Sequence, residues 1–281
     1  MLSQGVDGFR TRRNSMSLAN AAFNPSGRYL WDEKAETLEA QVLMPFEDRL
    51  EMDLALPEVL DRIEERAFYE PLFVDAFGDG AVTEERVAAA LAQFVRAMVS
   101  ADARYDEGRA AVAGPADDFP NFTEQENEGK RLFLTPRQAG GAGCASCHAT
   151  ELQIGGLGGL KNNGLDPPLA RAPADDLGAF EPTGEPELAG SFRVPSLRNV
   201  EVTGPYMHDG RLVTLEQVIE HYSQGVQPHE FLSPELRDDN GQPIRRPFTR
   251  DQSAALLAFL RTLTDPGFLS DPRFAEPFRS G

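Results

Sequence analysis

The sequence predicts a mainly α-helical protein, built as two helical parts with long irregular loops. Three observations carry this reading. Apolar residues recur at helical spacing in well-separated blocks. Three of those blocks open on a threonine with Glu or Gln three residues later, the pattern of a capping box. No set of alternating apolar runs marks strands, and no Asn-Gly turn lies between such runs. The chain has 281 residues and 41 % hydrophobic content, enough for a buried core. Its 25 glycines and 21 prolines account for the loops.

The elements follow in chain order. A short helix is expected over Ala35 to Leu43 and a second over Pro57 to Arg66. From Thr83, the residues Val87, Leu91, Phe94, Val95 and Met98 repeat at three and four and form one apolar stripe. "GPADDFPN", near residues 114–121, reads as a linker. Beyond it, capping boxes open helices at Thr123 (with Glu126), Thr214 (with Gln217) and Thr249 (with Gln252). The last carries Leu256, Leu257, Leu260 and Leu263 and stops before Pro266. Between His148 and Arg193 lies a Gly/Pro-rich segment with little periodicity, a length of loop that is usually functional and often wraps a ligand. The expected domains are 1–113 and 122–265, followed by a tail at 266–281.

The formal net charge is -18, which repels phosphate backbones and argues against nucleic acid. A basic protein partner suits such a field, although acidity alone also serves solubility. The most apolar stretch, "VAAALAQFVRAMV", is broken by Gln93 and Arg96, so no membrane span is expected. The opening residues "MLSQGVDGFRTRRNS" lack the apolar centre of a signal peptide.

The chemistry concentrates in "GAGCASCHATE". Cys144 and Cys147 are the only cysteines, and His148 follows the second. Cys-x-x-Cys-His is the attachment signature of c-type haem: two thiols add to the porphyrin vinyl groups and the histidine lies under the iron. A thioredoxin-like pair would need a βαβ surround. A zinc site would need further ligands, with His208, His221 and His229 as candidates. The helix expected from Thr123 to Phe133, just before the motif, favours covalent haem. Such haem is attached outside the cytoplasm, so a periplasmic location is expected.

Around this hook the sequence resembles the bacterial di-haem cytochrome c peroxidases and their MauG-type relatives. The resemblance rests on "RRNSMSLANAAFNPSGRYLWDEKAETLEAQVLMPFEDRLEM", "EQENEGKRLF", "CASCH", "RVPSLRNVEVTGPYMHDGRLVTLEQVIEHY" and "LLAFLRTLTD". It implies two cytochrome c-like domains, each with a haem c, and a calcium ion near their interface. It implies that Cys144, Cys147 and His148 hold the second haem, and that Gln41 and Glu51 lie over the peroxide face of the first. Trp31 matches a tryptophan between the haems. Asn20, Thr203 and Pro205 match the calcium position. Tyr222 matches the sixth ligand of the second haem, with Met207 and His221 as the competing candidates, and His208 falls near the inter-haem region.

The implied reaction is reduction of hydrogen peroxide to water. Glu51 would move the proton between the peroxide oxygens and Gln41 would orient them. Electrons would come from a small cytochrome c or cupredoxin through the second haem and Trp31. A tyrosine ligand favours ferric and higher oxidation states. It therefore raises the MauG-type alternative, in which high-valent haems oxidise a protein substrate. A mono-haem electron-transfer cytochrome is the third reading, and a homodimer is a further expectation. The first Cys-x-x-Cys-His of the family is expected roughly two dozen residues before Asn20, a spacing the resemblance supplies. That position falls before Met1, so the reading expects an N-terminal truncation, one covalent haem where two would be complete, and little peroxidase turnover.

Overall fold

The computed structural model describes residues 2–149, 151–153, 159–167 and 176–277. Parts of the expected ligand-wrapping segment lie outside the described residues. The N-terminal half holds helices α1 (Leu38–Glu47), α2 (Leu56–Glu64), α3 (Tyr69–Phe77), α4 (Glu84–Ala97) and α5 (Arg104–Ala110). The second half holds α6 (Glu124–Leu134), a two-residue antiparallel ladder of β1 (Leu160–Lys161) with β2 (Phe192–Arg193), and the short α7 (Phe180–Thr183). It closes with α8 (Leu215–Glu220), α9 (Arg250–Arg261) and α10 (Pro266–Leu269). The class is mainly α, as the sequence predicts.

All three expected capping boxes form. Thr123 N donates to Glu126 Oε2 at 2.7 Å while Glu126 N donates to Thr123 Oγ1 at 3.2 Å. Thr214 and Thr249 pair likewise with Gln217 and Gln252. Each box satisfies two backbone donors that a helix start leaves free. Helix α1 begins later than expected, because Thr37 accepts from Ala40 N and sets the start there. It also runs on through Pro45. That proline removes one donor near the end of the helix, where the missing bond costs least.

Two differences from the sequence reading have clear causes. The buried stripe of α4 is Val87, Ala88, Ala92 and Val95, whereas Phe94 is exposed and meets Phe274 edge-on at 5.9 Å. Small alanines let α4 approach α1, which the larger side chains alone did not reveal. The stretch 114–121 is packed rather than free: Phe119 is 1 % exposed and belongs to the second half's core. The Lys130 ammonium, also buried, caps Pro115 O at 2.8 Å and lies 4.2 Å over the Phe119 ring.

The main core joins Tyr105 of α5, Phe119, Phe122, and the inner faces of α6, α8 and α9. Helices α6 and α9 cross closely at Gly129, where a Cβ would stand 1.9 Å from Ala255 O. A smaller core in the first half gathers Ala21, Tyr29, Ala35, Leu38, Ala92 and Val95. The halves are laced by polar contacts. Arg198, fully buried, pairs with Asp106 through both guanidinium nitrogens, and Asp265 accepts from Ser100 Oγ and Asp102 N, each at 3.1 Å.

Candidate functional site

Gly143 sits at φ 71°, and a Cβ there would stand 2.7 Å from Arg137 Cγ, so glycine lets the chain turn tightly into the motif. Cys144–Ser146 then forms a 3₁₀ turn. Cys144 O accepts from Cys147 N at 3.1 Å and from His148 N at 2.9 Å. The turn puts both thiols and the imidazole on one wall of a cavity of about 220 Å³. That is far more than the ~10–15 Å³ that one water requires. The remaining wall is mostly apolar and comes from α6, α8 and α9 together with loop segments around residues 14–17, 192–208 and 233–236.

Burial pushes the Cys144 thiol up to about 12 and the Cys147 thiol up to about 11, so both remain protonated and unreactive as nucleophilic anions. The two are not joined in a disulfide. Burial pushes His148 down to about 4, which keeps the ring neutral. His148 Nδ1 lies 3.1 Å from Gln153 O, an acceptor that sets a proton on Nδ1, and the Pro195 backbone also bonds the ring. Gln153 itself is held in place: Leu197 N donates to its carbonyl at 3.3 Å, and Arg198 Nη2 donates to Glu151 O at 2.7 Å.

Tyr222 and Met207 line the same cavity. Tyr222 follows α8 in a π-turn, His221–Gly225, which widens the helix and turns the phenol inward. Burial pushes that phenol up to about 12, opposed by a hydrogen bond from Asn163. A cation near its oxygen would reverse the balance. Trp31 stands at the cavity rim, its Nε1 donating to Asn14 O at 2.7 Å and its carbonyl accepting from Arg193 N at 2.7 Å. His208 stacks on Phe192 at 3.7 Å and 9°, a packing role in which its ring is buried.

The structure therefore brings together Trp31, Cys144, Cys147, His148, Met207, Tyr222, Thr203 and Pro205 around one cavity. Gln41, on α1, and Glu51, in the turn after it, lie away from that wall. Burial, then repulsion from Asp48, holds the Glu51 carboxyl above the usual range.

Asn20 does not join Thr203 and Pro205. Its amide donates to Ser100 O and accepts from Ser100 N, both at 2.9 Å, which anchors the side chain to that backbone. Asn14 stands there instead: its Nδ2 donates to Pro205 O at 2.6 Å, and its backbone N to His208 O at 2.6 Å. No local signal separates the two asparagines; only a contact spanning 191 residues does. His221 Nε2 is engaged with Asn163 O and His229 Nδ1 with Phe231 N, and among the described residues no cluster of three metal-ligating side chains forms.

The residues fit a covalent haem on structural grounds. The cavity offers two unpaired thiols and a neutral imidazole. Two cavity-lining groups, Arg193 Nε and Glu235 Oε2, are buried without a partner, and the guanidinium suits an anionic porphyrin edge. Sequence reasoning missed Arg193, Asn14 and Asn163, because what marks them is a partner, or the want of one, in space.

A family model described as di-haem cytochrome c peroxidase matches residues 1–111. The methylamine utilization protein MauG of Methylorubrum extorquens is 34% identical over 251 residues, which is 87% of this chain and 63% of that protein. The cytochrome c551 peroxidase of Nitrosomonas europaea is 29% identical, over 89% of this chain and 65% of its own length. The chain thus spans less than two thirds of the length of these two relatives. The crystal structure of a MauG-like protein associated with microbial copper homeostasis superposes with a TM-score of 0.80 at 31% identity, covering 99% of this chain and 83% of that one. The diheme peroxidase BthA from Burkholderia thailandensis shares the fold, with a TM-score of 0.72 at 22% identity. By a cavity walled with Cys-x-x-Cys-His and by these likenesses, the chain belongs to the di-haem cytochrome c peroxidase and MauG family.

Proposed function

We propose that this chain is a haem c-bearing oxidoreductase that uses hydrogen peroxide as oxidant, matured outside the cytoplasm. The observation that carries the reading is the single cavity where Cys144, Cys147, His148 and Tyr222 meet, with Trp31 at its rim. Cys144 and Cys147 would hold the porphyrin through thioethers, His148 Nε2 would ligate the iron, and Arg193 would pair with its anionic edge. When bound, this haem supplies one-electron chemistry.

The protein's own groups do the rest. Glu51, its carboxyl raised by burial, suits a group that accepts and returns a proton. Gln41 offers an amide to orient a peroxide. Trp31, fixed by hydrogen bonds at both its ring and its backbone, places an aromatic ring between the halves. For a calcium ion, Asn14 replaces Asn20, with the carbonyls of Thr203 and Pro205; an amide flip would turn Oδ1 toward the ion. Residues 1–113 and 122–265 are the two cytochrome c-like domains in this reading, and the electron donor is a small redox protein.

One observation favours a second reading. The Tyr222 phenol, buried in the cavity, suits a MauG-type enzyme that spends oxidising equivalents on a protein substrate rather than on donor-driven peroxide removal. The test is to express the chain in an export-competent host with haem maturation. Mass spectrometry is expected to show the polypeptide plus one haem, and a bare polypeptide mass would overturn the reading. Turnover of peroxide with a reduced cytochrome, against oxidation of a protein substrate, then separates the two activities.

A further inference from the structure

Asn163 touches all three candidates for the sixth ligand, Tyr222 and Met207 with its side chain and His221 with its carbonyl. It follows β1, between the buried Asn162 and Gly164, whose φ is 63° and whose carbonyl accepts from Gln227 N at 2.8 Å. Three contacts fix it. Its carbonyl faces His221 Nε2 at 3.1 Å, its Oδ1 accepts from Leu165 N at 3.2 Å, and Asn162 beside it is anchored to Ala189 O and Gly164 N. Because Oδ1 is taken by a backbone N–H, the assignment of the amide is set, and Nδ2 is the end that faces the cavity. From there Nδ2 lies 3.4 Å from Tyr222 Oη and 3.4 Å from Met207 Sδ. One NH₂ group, with two donors, spans the phenol and the thioether.

We propose that Asn163 is a positioning residue for the haem's sixth ligand, donating one N–H to the Tyr222 oxygen and engaging the Met207 sulfur with the other. The inference rests on the reading that Tyr222 ligates the haem. A phenolate accepts such a bond far better than a thioether, because the acceptor is charged. The bond draws electron density from the phenolate oxygen, weakens its donation to iron and favours the reduced metal. A thioether bound to iron stays neutral and is a weak acceptor, so the buried Asn163 donor would be poorly paired against it. The fork therefore rewards the phenolate and disfavours the thioether.

The test uses haem-loaded protein carrying Met207→Leu, so that no sulfur can replace the phenol. In that background Asn163→Leu is expected to shift the phenolate-to-iron absorption band to longer wavelength. It is also expected to lower the midpoint potential by about one tenfold step in the oxidised-to-reduced ratio, ~59 mV for one electron. Asn163→Asp keeps the turn to Leu165, loses both N–H donors and is expected to lower the potential further; it also serves if the leucine variant does not fold. An unchanged band and potential in both variants would overturn the role of Asn163. Absence of a phenolate band already in the Met207→Leu parent would instead overturn the Tyr222 reading.

Discussion

The two halves of this chain contrast in how they bury apolar surface. In the second, α6, α8 and α9 close a continuous core over a lined cavity, and Phe259 and Leu263 are buried almost completely. In the first, the core is small, and most of the exposed large apolar side chains of the described residues precede Ser100, with Phe9, Phe23, Leu72 and Val74 among them. Apolar surface left in water forgoes about 25 cal/mol per Å² of burial. The halves share one helical fold class, and the pocket that holds the motif is walled mainly by the second, with Trp31 and residues 14–17 of the first completing it. The lesson is that a site can be read from packing completeness: the finished cavity is where the motif residues converge.

The strongest way to break this comparison is to remove the hook. Cys144→Ala with Cys147→Ala is expected to abolish covalent haem entirely, read as loss of haem staining on a denaturing gel; retained covalent haem would refute the assignment. Next is the core itself. Phe259→Ala is expected to cost about 3–5 kcal/mol, measured by denaturant unfolding, because the ring packs against Phe133 at 5.0 Å and is nearly fully buried. Across the seam, Asp265→Asn is expected to cost about 1–3 kcal/mol by weakening charge-assisted bonds from Ser100, Asp102 and Phe268.

The same carboxylate gives a pH signature. Burial opposes its ionised form, yet hydrogen bonds from Phe268 N, Asp102 N and Ser100 Oγ hold it below the ordinary value of 3.8. A depressed carboxylate stabilises the fold fully above that value and loses its contribution as pH falls through the lower native one. Acid unfolding should therefore begin at higher pH in a variant whose seam is already weakened. Smallest of all, Leu72→Ser, on the exposed face of α3, is expected to change stability by no more than about 0.5 kcal/mol. A loss as large as that of Phe259→Ala would show that the first half is covered after all, and the contrast would disappear.

Much of this was legible in the sequence for identifiable reasons. Thr123, Thr214 and Thr249 announced their helices because a capping box is a local, four-residue interaction. Cys144, Cys147 and His148 were legible because haem attachment demands fixed residue types at fixed spacing. Helices α3 and α5 were missed: neither opens on a side-chain oxygen that caps its backbone, as Phe68 and Ala103 stand at those positions. Asn14 and Asn163 were not seen at all, since what marks them is partners far along the chain. Phe94 looked like core because periodicity cannot tell which of two adjacent helix faces a neighbour will cover.

The seam that begins at Asn14 has a mechanical consequence. Trp31, Arg193, Pro205 and His208 are tied to one another through the backbone of residues 14–31, while Lys130 staples the stretch that joins the halves. A protease nick near Asp117 would then leave two fragments that co-elute as one particle. The separation of the indole from the sulfur-bearing wall is set by that stitching, independent of whether the chain between the halves is whole.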